Sequence, residues 1–482
     1  MPLSHASLIM HDDSVQSRST FSGWIGVARA DITPPVGIYT REWAAAKHSV
    51  AQSIHRPLFL TALTIQSRPS GGPLVFVGAD LGFWRSQVLI EKLRRKLLDA
   101  FSLESPRFLF GMSHTHSSVS LVEADPNLPG GDLLGPYFLR VEQAAREAIQ
   151  AALQNAEEAL LDWHYGRCAL ASNRDLPDPT PGSTRVLCGY NPSSVADDTL
   201  LVGRVTSRTG KPLATLVNYA CHPTTLAWEN TAISPDFVGA MRETIEAATG
   251  TIALFIQGAS GELAPRYQYV GDPKVADRHG RHLGYACLAT LEDMDPPGKM
   301  LLFDRVVESG ALLAVWRYEN VPRSQALDAR EIPVVLPVKN WPVAAELERQ
   351  RSAATDRAYE ERLRRQRDTR LALGDGDTCA LSLWAWRIGN AVLVGVPEEA
   401  YSLLQRELRQ RHHNMPIVCV NLVNKRIGGY LPPQELYERD VYQVWRTPFA
   451  PGSLEIVIDE LSEAIEQIMA ENSEPRVSSR AP

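Results

Sequence analysis

Short apolar runs alternate with amphipathic helical segments along most of this chain, and that alternation constrains the fold more than any other feature. Apolar runs of four to eight residues bounded by turn residues suit buried strands, and a 3.6-residue period suits helices lying on a sheet. Read this way, strands are expected at 24–32, 58–66, 74–77, 108–111, 163–171, 199–206, 213–219, 251–256, 381–387, 391–396 and 416–422. Helices are expected at 87–101, 137–155, 236–249, 276–291, 399–411 and 454–470. The highly charged stretch 344–373 reads as a solvent-exposed helical excursion. The predicted fold is α/β, with mixed β-sheets covered by helices in one large domain over residues 23–470. The polar ends, residues 1–22 and 471–482, are expected to be disordered.

Composition narrows the function classes. Of 482 residues, 44% are apolar and 22% charged, as in an ordinary globular protein. A net charge of -7 without any basic block argues against nucleic acid as a partner. No apolar run reaches the ~18 residues of a membrane span, so no transmembrane segment is expected. A secretory leader is not recognisable at the N-terminus, so the expected location is cytoplasmic. Six dispersed cysteines form no C-x-x-C pair, which argues against a cysteine zinc site or a disulfide framework. No dinucleotide or P-loop glycine motif follows a strand. The oligomeric state is unknown at this level.

Five segments place reactive side chains where an apolar strand gives way to a loop, a common address for catalytic groups. Met112-Ser113-His114-Thr115-His116-Ser117 follows the first, and alternation along an extended chain lets His114 and His116 face one site. Imidazole is the commonest zinc ligand and the usual proton shuttle near neutral pH, although two such histidines also occur as polar surface residues. Val217 to Thr225 delivers His222 just before Pro223, where a backbone-bonded histidine is the competing reading. Phe255 to Glu262 carries Gly258 and Gly261, whose amides suit an oxyanion or simply a tight turn. Val394 to Glu399 ends in two carboxylates, one for a site and one for capping a following helix. Ile427 to Pro433 sets Tyr430 behind a glycine pair, with a packed surface tyrosine as the alternative.

In chain order these segments resemble the catalytic domain of the neutral ceramidase family (neutral/alkaline non-lysosomal ceramidases). Gly26-Val27-Ala28-Arg29-Ala30-Asp31-Ile32-Thr33-Pro34 resembles the family's opening G-x-x-x-A-D-I-T, and His114-Thr115-His116-Ser117 its H-T-H-S signature. Asn173-Arg174, Tyr190-Asn191-Pro192 and Asp198 follow in similar order, then His222-Pro223 with Ser234 and Asp236. Gln257 with Gly261-Glu262, Pro397-Glu398-Glu399, and Gly429-Tyr430 with Glu435 and Tyr437 complete the series. The resemblance runs from about Gly26 to Tyr442.

The resemblance implies a zinc site at His114, His222, Glu399 and Tyr430. It implies catalytic roles for His116, in proton transfer or oxyanion stabilisation, and for Tyr430, as donor to the tetrahedral intermediate. Arg174 is implied as a substrate-orienting residue, and Gly258 and Ser260 as substrate-binding. Two imidazoles and a carboxylate suit a catalytic zinc with an open position, where an activated water attacks a carbonyl. The expected activity is zinc-dependent hydrolysis of a linear amide, an N-acyl amine or other lipid-like amide, within lipid metabolism. A zinc-dependent esterase on a soluble substrate and a non-catalytic ligand-binding relative are the alternatives. The chain departs from the family pattern at Gly258, where the family carries serine, with Ser260 two positions on. It also ends soon after the tyrosine segment, so the family's C-terminal β-sandwich is expected to be missing. Which of Glu398 and Glu399 serves the metal is open at this stage.

Overall fold

A computed structural model of the chain describes residues 20–424 and 428–470. The first 19 residues, residues 425–427 and the tail from 471 lie outside the described residues, and with them Ile427 of the tyrosine segment. The first strand already begins at Thr20, inside the N-terminal segment expected to be disordered.

The apolar runs form two sheets. The larger uses β1 (Thr20–Asp31), β2 (Phe59–Gln66), β3 (Leu74–Ala79), β4 (Phe108–Met112), β5 (Glu157–Arg167), β6 (Thr199–Ser207), β7 (Pro212–Tyr219) and β8 (Ile252–Gln257). Its order is β8-β7-β6-β5-β1-β2-β3-β4, with β3–β4 and β7–β8 parallel and the other neighbours antiparallel. A hairpin of β9 (Lys299–Glu308) and β10 (Leu312–Asn320) stands apart as a two-stranded sheet. The smaller main sheet runs β11 (Leu327–Pro337), β12 (Thr378–Ile388), β13 (Ala391–Val396), then β15 (Ile417–Asn421). Between them in sequence lies β14 (Glu399–Ala400), which pairs in parallel with β16 (Tyr430–Leu431).

Strand alternation explains the layering. Side chains of one strand point to opposite faces in turn. On β3, Val75 and Val77 join a core with α1 (Gln87–Phe101) and α2 (Leu134–Gln154), while Leu74 and Phe76 face the second sheet. On β8, Ala253 and Phe255 meet α3 (Phe237–Thr249) and α4 (Pro273–Glu292), and Leu254 and Ile256 face the second sheet. The second sheet sends Trp384, Trp386 and Leu393 into that shared interior. Its other face, with Leu383, Val392 and Val394, packs under α7 (Leu403–Arg411) and α9 (Ser453–Ala470). The result is four layers: helices, sheet, sheet, helices. Strands apolar on both faces read as continuous hydrophobic runs for this reason.

Buried asparagine joins the two sheets. The Asn218 side chain on β7 donates to Ile256 O (3.0 Å) and Cys419 O (2.8 Å) and accepts from Cys419 N (3.3 Å). Asn424 does the same beyond β15, accepting from Phe110 N (2.9 Å) and donating to Phe108 O (3.1 Å).

Some expectations shift. The strand expected at 163–171 begins earlier, at Glu157, and ends at Arg167, because its apolar half pairs with β1. The helix expected from Glu399 begins at Leu403, since Glu399 and Ala400 are held extended by Tyr430 and Leu431. Strands β9, β10 and β11 were not read from the sequence. The charged excursion forms α5 (Ala344–Ala353) and α6 (Arg357–Leu373), exposed over much of its surface as expected but also tied to the body. Arg357 donates to Ala44 O at 3.1 Å, and the Arg362 guanidinium stacks 4.2 Å over Trp445 of α8 (Tyr442–Arg446).

Replacing Asn218 with leucine keeps the branched shape but strands buried backbone groups of β8 and β15. The expected loss is about 3 kcal/mol, read as a lower midpoint in guanidinium unfolding. A midpoint equal to wild type would mean that the asparagine does not hold the sheets together.

Candidate metal centre

The histidines reach one place because the large sheet is twisted. Strands β4 and β7 run in opposite senses within it. Twist accumulates at roughly 20–25° per neighbouring strand, enough over this sheet to turn its two end regions toward each other. Gly78 of β3 accordingly lies against β8, where an added Cβ would come 2.8 Å from a methyl of Leu254. His114, two residues beyond β4, and His222, three beyond β7, end with ring centroids 4.7 Å apart.

Each ring is locked from behind. His114 has left-handed backbone (φ 70°), uncommon for a residue with a Cβ, and its N–H donates to Leu81 O at 2.9 Å. Its Nδ1 lies 2.9 Å from Gly82 O. The His222 Nδ1 lies 2.6 Å from Ser260 O and 3.2 Å from Leu263 O. A carbonyl only accepts, so both Nδ1 atoms carry the proton and both Nε2 atoms present a lone pair inward. His116 adds a third imidazole, its ring 4.9 Å from His114 and 5.2 Å from Trp43. The Nε2 atoms of His114 and His116 are buried without a hydrogen-bond partner.

Glu399 faces these nitrogens. Its Oε2 is 3.0 Å from His222 Nε2 and 3.4 Å from His114 Nε2. Glu398 points elsewhere and accepts from the N–H groups of Gly428 (3.2 Å) and Gly429 (2.8 Å), bracing the chain just before Tyr430. The parallel pair β14–β16 sets Glu399 directly beside Tyr430. Tyr430 bonds the Glu399 carboxylate through its hydroxyl and stacks on His222, with centroids 6.5 Å apart. Helix capping, the competing use for these glutamates, is done by Glu262, which accepts from Ser402 N at 2.9 Å and from the Ser402 hydroxyl.

Arg174 enters from the short strand Ala171–Asn173, paired antiparallel with Leu263–Pro265. Its Nη2 donates to Gly261 O (2.7 Å) and Tyr430 Oη (3.3 Å) and lies 3.2 Å from His222 Nε2. All five of His222, His114, Glu399, Arg174 and Tyr430 are at most 5% exposed. Burial, and next the Arg174 charge, push the His222 imidazole down to about 3. Burial and the neighbouring His114 and His222 hold His116 well below its ordinary range. Burial and the Glu399 charge hold the Tyr430 phenol well above its own. The His116 and His222 imidazoles and the Tyr430 phenol are therefore neutral at pH 7.

These facts fit a metal ion. His222 Nε2 and Glu399 Oε2 are both lone-pair acceptors only 3.0 Å apart, and the imidazole resists protonation. Two such acceptors approach this closely when a cation lies against both. The three histidines offer ligand atoms within 4.8 Å of one another, and Glu399 adds a carboxylate. Nδ1 atoms committed to carbonyls are the usual outer support of metal-binding histidines.

Six of the expected site residues thus meet: His114, His116, Arg174, His222, Glu399 and Tyr430. Gly258 and Ser260 stand behind them. Gly258 is packed so closely that an added Cβ would lie 3.0 Å from Ala220 and Gln405, and it faces no open space. The Ser260 hydroxyl accepts from Gln257 Nε2 at 2.7 Å, and its carbonyl orients His222. The aromatic wall was not read from the sequence. Trp43 packs against Trp228 and Tyr269 (6.0 and 5.7 Å), and Phe83 lies 5.8 Å from His114. These rings sit in irregular loops, where no periodicity marks them.

Comparison with known proteins gives this architecture a class, the neutral ceramidase fold. A ceramidase complexed with C2 superposes with a TM-score of 0.65, at 16% identity, over 96% of this chain and 77% of that one. The crystal structure of neutral ceramidase from Pseudomonas aeruginosa gives a TM-score of 0.63, at 17% identity, over 93% of this chain and 75% of that one. No family model matches the chain, and no curated protein matches its sequence.

Burial pushes the Glu262 carboxyl up to about 7 from an ordinary value of 4.5. The folded chain thus holds a proton that the unfolded chain releases, so stability falls as pH rises through that window. Glu262→Gln removes this term. Its melting temperature relative to wild type is expected to rise between pH 5 and pH 8, and a pH-independent difference would refute the assignment.

Proposed function

We propose that this protein is a zinc-dependent hydrolase of a linear amide, an N-acyl amine of ceramide-like chemistry, acting within lipid metabolism. The observation that carries the reading is the pair of acceptors, His222 Nε2 and Glu399 Oε2, buried beside His114 Nε2. The neutral ceramidase fold supports it, because ceramidases cleave an N-acyl amide. His114, His222, Glu399 and Tyr430 would hold the ion. Zinc bound there supplies Lewis acidity and lowers the pKa of a coordinated water toward 7.

The chain's own residues do the rest. Water oxygen adds to the acyl carbon, the C–N bond breaks, and the amine leaves with a proton. His116 Nε2, neutral and without a partner, takes the proton from water and returns it to the leaving nitrogen. The Tyr430 hydroxyl donates to the oxyanion, and Arg174 holds that hydroxyl in place. Trp43 and Phe83, packed on His116, exclude bulk water and offer an apolar wall to the substrate.

Purified protein is expected to carry about one zinc per chain. The double variant His114→Ala, His222→Ala should lose both the metal and N-acyl amine turnover, and retention of both would sink the reading. Tyr430→Phe should lower kcat by roughly 100- to 1,000-fold with little change in KM. In a panel of N-acyl amines and matched esters, a strong ester preference would favour esterase activity, and no turnover of any member would favour a binding role.

A further inference from the structure

The hairpin β9–β10 carries the most exposed apolar surface of the described chain. Its register pairs Leu301 with Tyr318 and Phe303 with Trp316, and after a bulge at Asp304 it pairs Val306 with Ala314. Alternation puts Leu301, Phe303, Val306, Leu312, Trp316 and Tyr318 on one face. All six are between 42% and 76% exposed, and Phe303 and Trp316 meet edge to face at 5.9 Å. The opposite face mixes apolar Leu302, Val307, Leu313 and Val315 with Arg317, which is bonded to Asp304 (3.4 Å) and Glu319 (2.9 Å). Among the described residues no further strand pairs with either edge. An isolated two-stranded ribbon is marginal in water, and an apolar patch of this extent on a folded chain marks an interaction surface.

We infer that this face packs on the same face of a second copy of the chain, making a two-fold symmetric dimer. Two observations select that partner. The six side chains expose roughly 700 Å², close to the ~800 Å² per partner of a standard stable interface. The charges on the hairpin are balanced, Lys299, Arg305 and Arg317 against Asp304, Glu308 and Glu319. An arm that docks on anionic lipid carries an excess of lysine and arginine instead.

Sedimentation velocity on the full chain at about 1 to 50 μM is expected to show a species of twice the 53.3 kDa chain mass. Phe303→Glu with Trp316→Glu should weaken association at least 100-fold, and Trp316→Phe should leave it intact. A second variant replaces residues 300–319 by a short Gly-Ser turn. The hydrogen bond from Val321 N to Gly298 O (3.0 Å) already closes the hairpin's base, so the body should keep its circular dichroism while becoming monomeric. A wild-type monomer at 50 μM, or a dimer that survives both variants, overturns the proposal. So does a monomer that sediments with phosphatidylcholine or phosphatidylserine vesicles through the intact hairpin, which would give the face to lipid.

Discussion

A carboxylate oxygen and an imidazole lone pair held 3.0 Å apart in the interior form the constraint around which this molecule is arranged. Burial makes that contact costly, since polar groups taken from water must find partners. The surroundings supply them in order. Backbone carbonyls of Gly82 and Ser260 take the Nδ1 protons, the Tyr430 hydroxyl bonds Glu399, and the Arg174 guanidinium places a positive charge next to the carboxylate. Strain is accepted in the same place, with left-handed backbone at His114 and, in the aromatic wall, at Tyr269. Such residues cluster where surrounding structure over-determines the backbone.

Two devices of topology make the cluster possible. Twist across the large sheet brings the end of β4 toward the ends of β7 and β8, although β4 and β7 run oppositely. The second sheet then delivers Glu399 and Tyr430 as neighbours through a parallel pair only two residues long. Asn218 and Asn424 hold one sheet to the other by bonding backbone across the gap. The site is thus built on strand ends of two layers rather than on one loop, which fixes its distances to the precision of the core.

The elements outside the two sheets shape access and association. Helices α5 and α6 reach the loop carrying Trp43 through Arg357 and Ala44, and lie on α8 beside the tyrosine segment. Their charged surface is mostly internal pairing, such as Arg364 and Arg365 with Glu361. The β9–β10 hairpin projects in the opposite spirit, apolar where the rest of the surface is polar.

Much of this was legible in the sequence. Apolar runs located most strands of both main sheets, because a strand buried on both faces needs apolar side chains at every position; the half-exposed β11 escaped for want of such a run. Helix α1 was bounded correctly because its periodicity ends at a left-handed Ser102. It was the resemblance to the neutral ceramidase family, motif by motif, that put His114, His116, Arg174, His222, Glu399 and Tyr430 into one expected group. The β9–β10 hairpin was missed although its Ser309-Gly310 turn was present, since apolar side chains stand on both of its faces without a core to face. Only the tertiary structure separated Glu399 from Glu398, because the choice depends on which one meets the amides of Gly428 and Gly429 across the chain. Only it moved helix capping to Glu262 and reduced Gly258 and Ser260 to supports, since those roles rest on contacts between distant residues. Sequence by itself determined which residue types stand at the strand ends, through local periodicity and motif order. Which of them point at one another was decided by sheet twist and strand pairing, and those are properties of the folded chain.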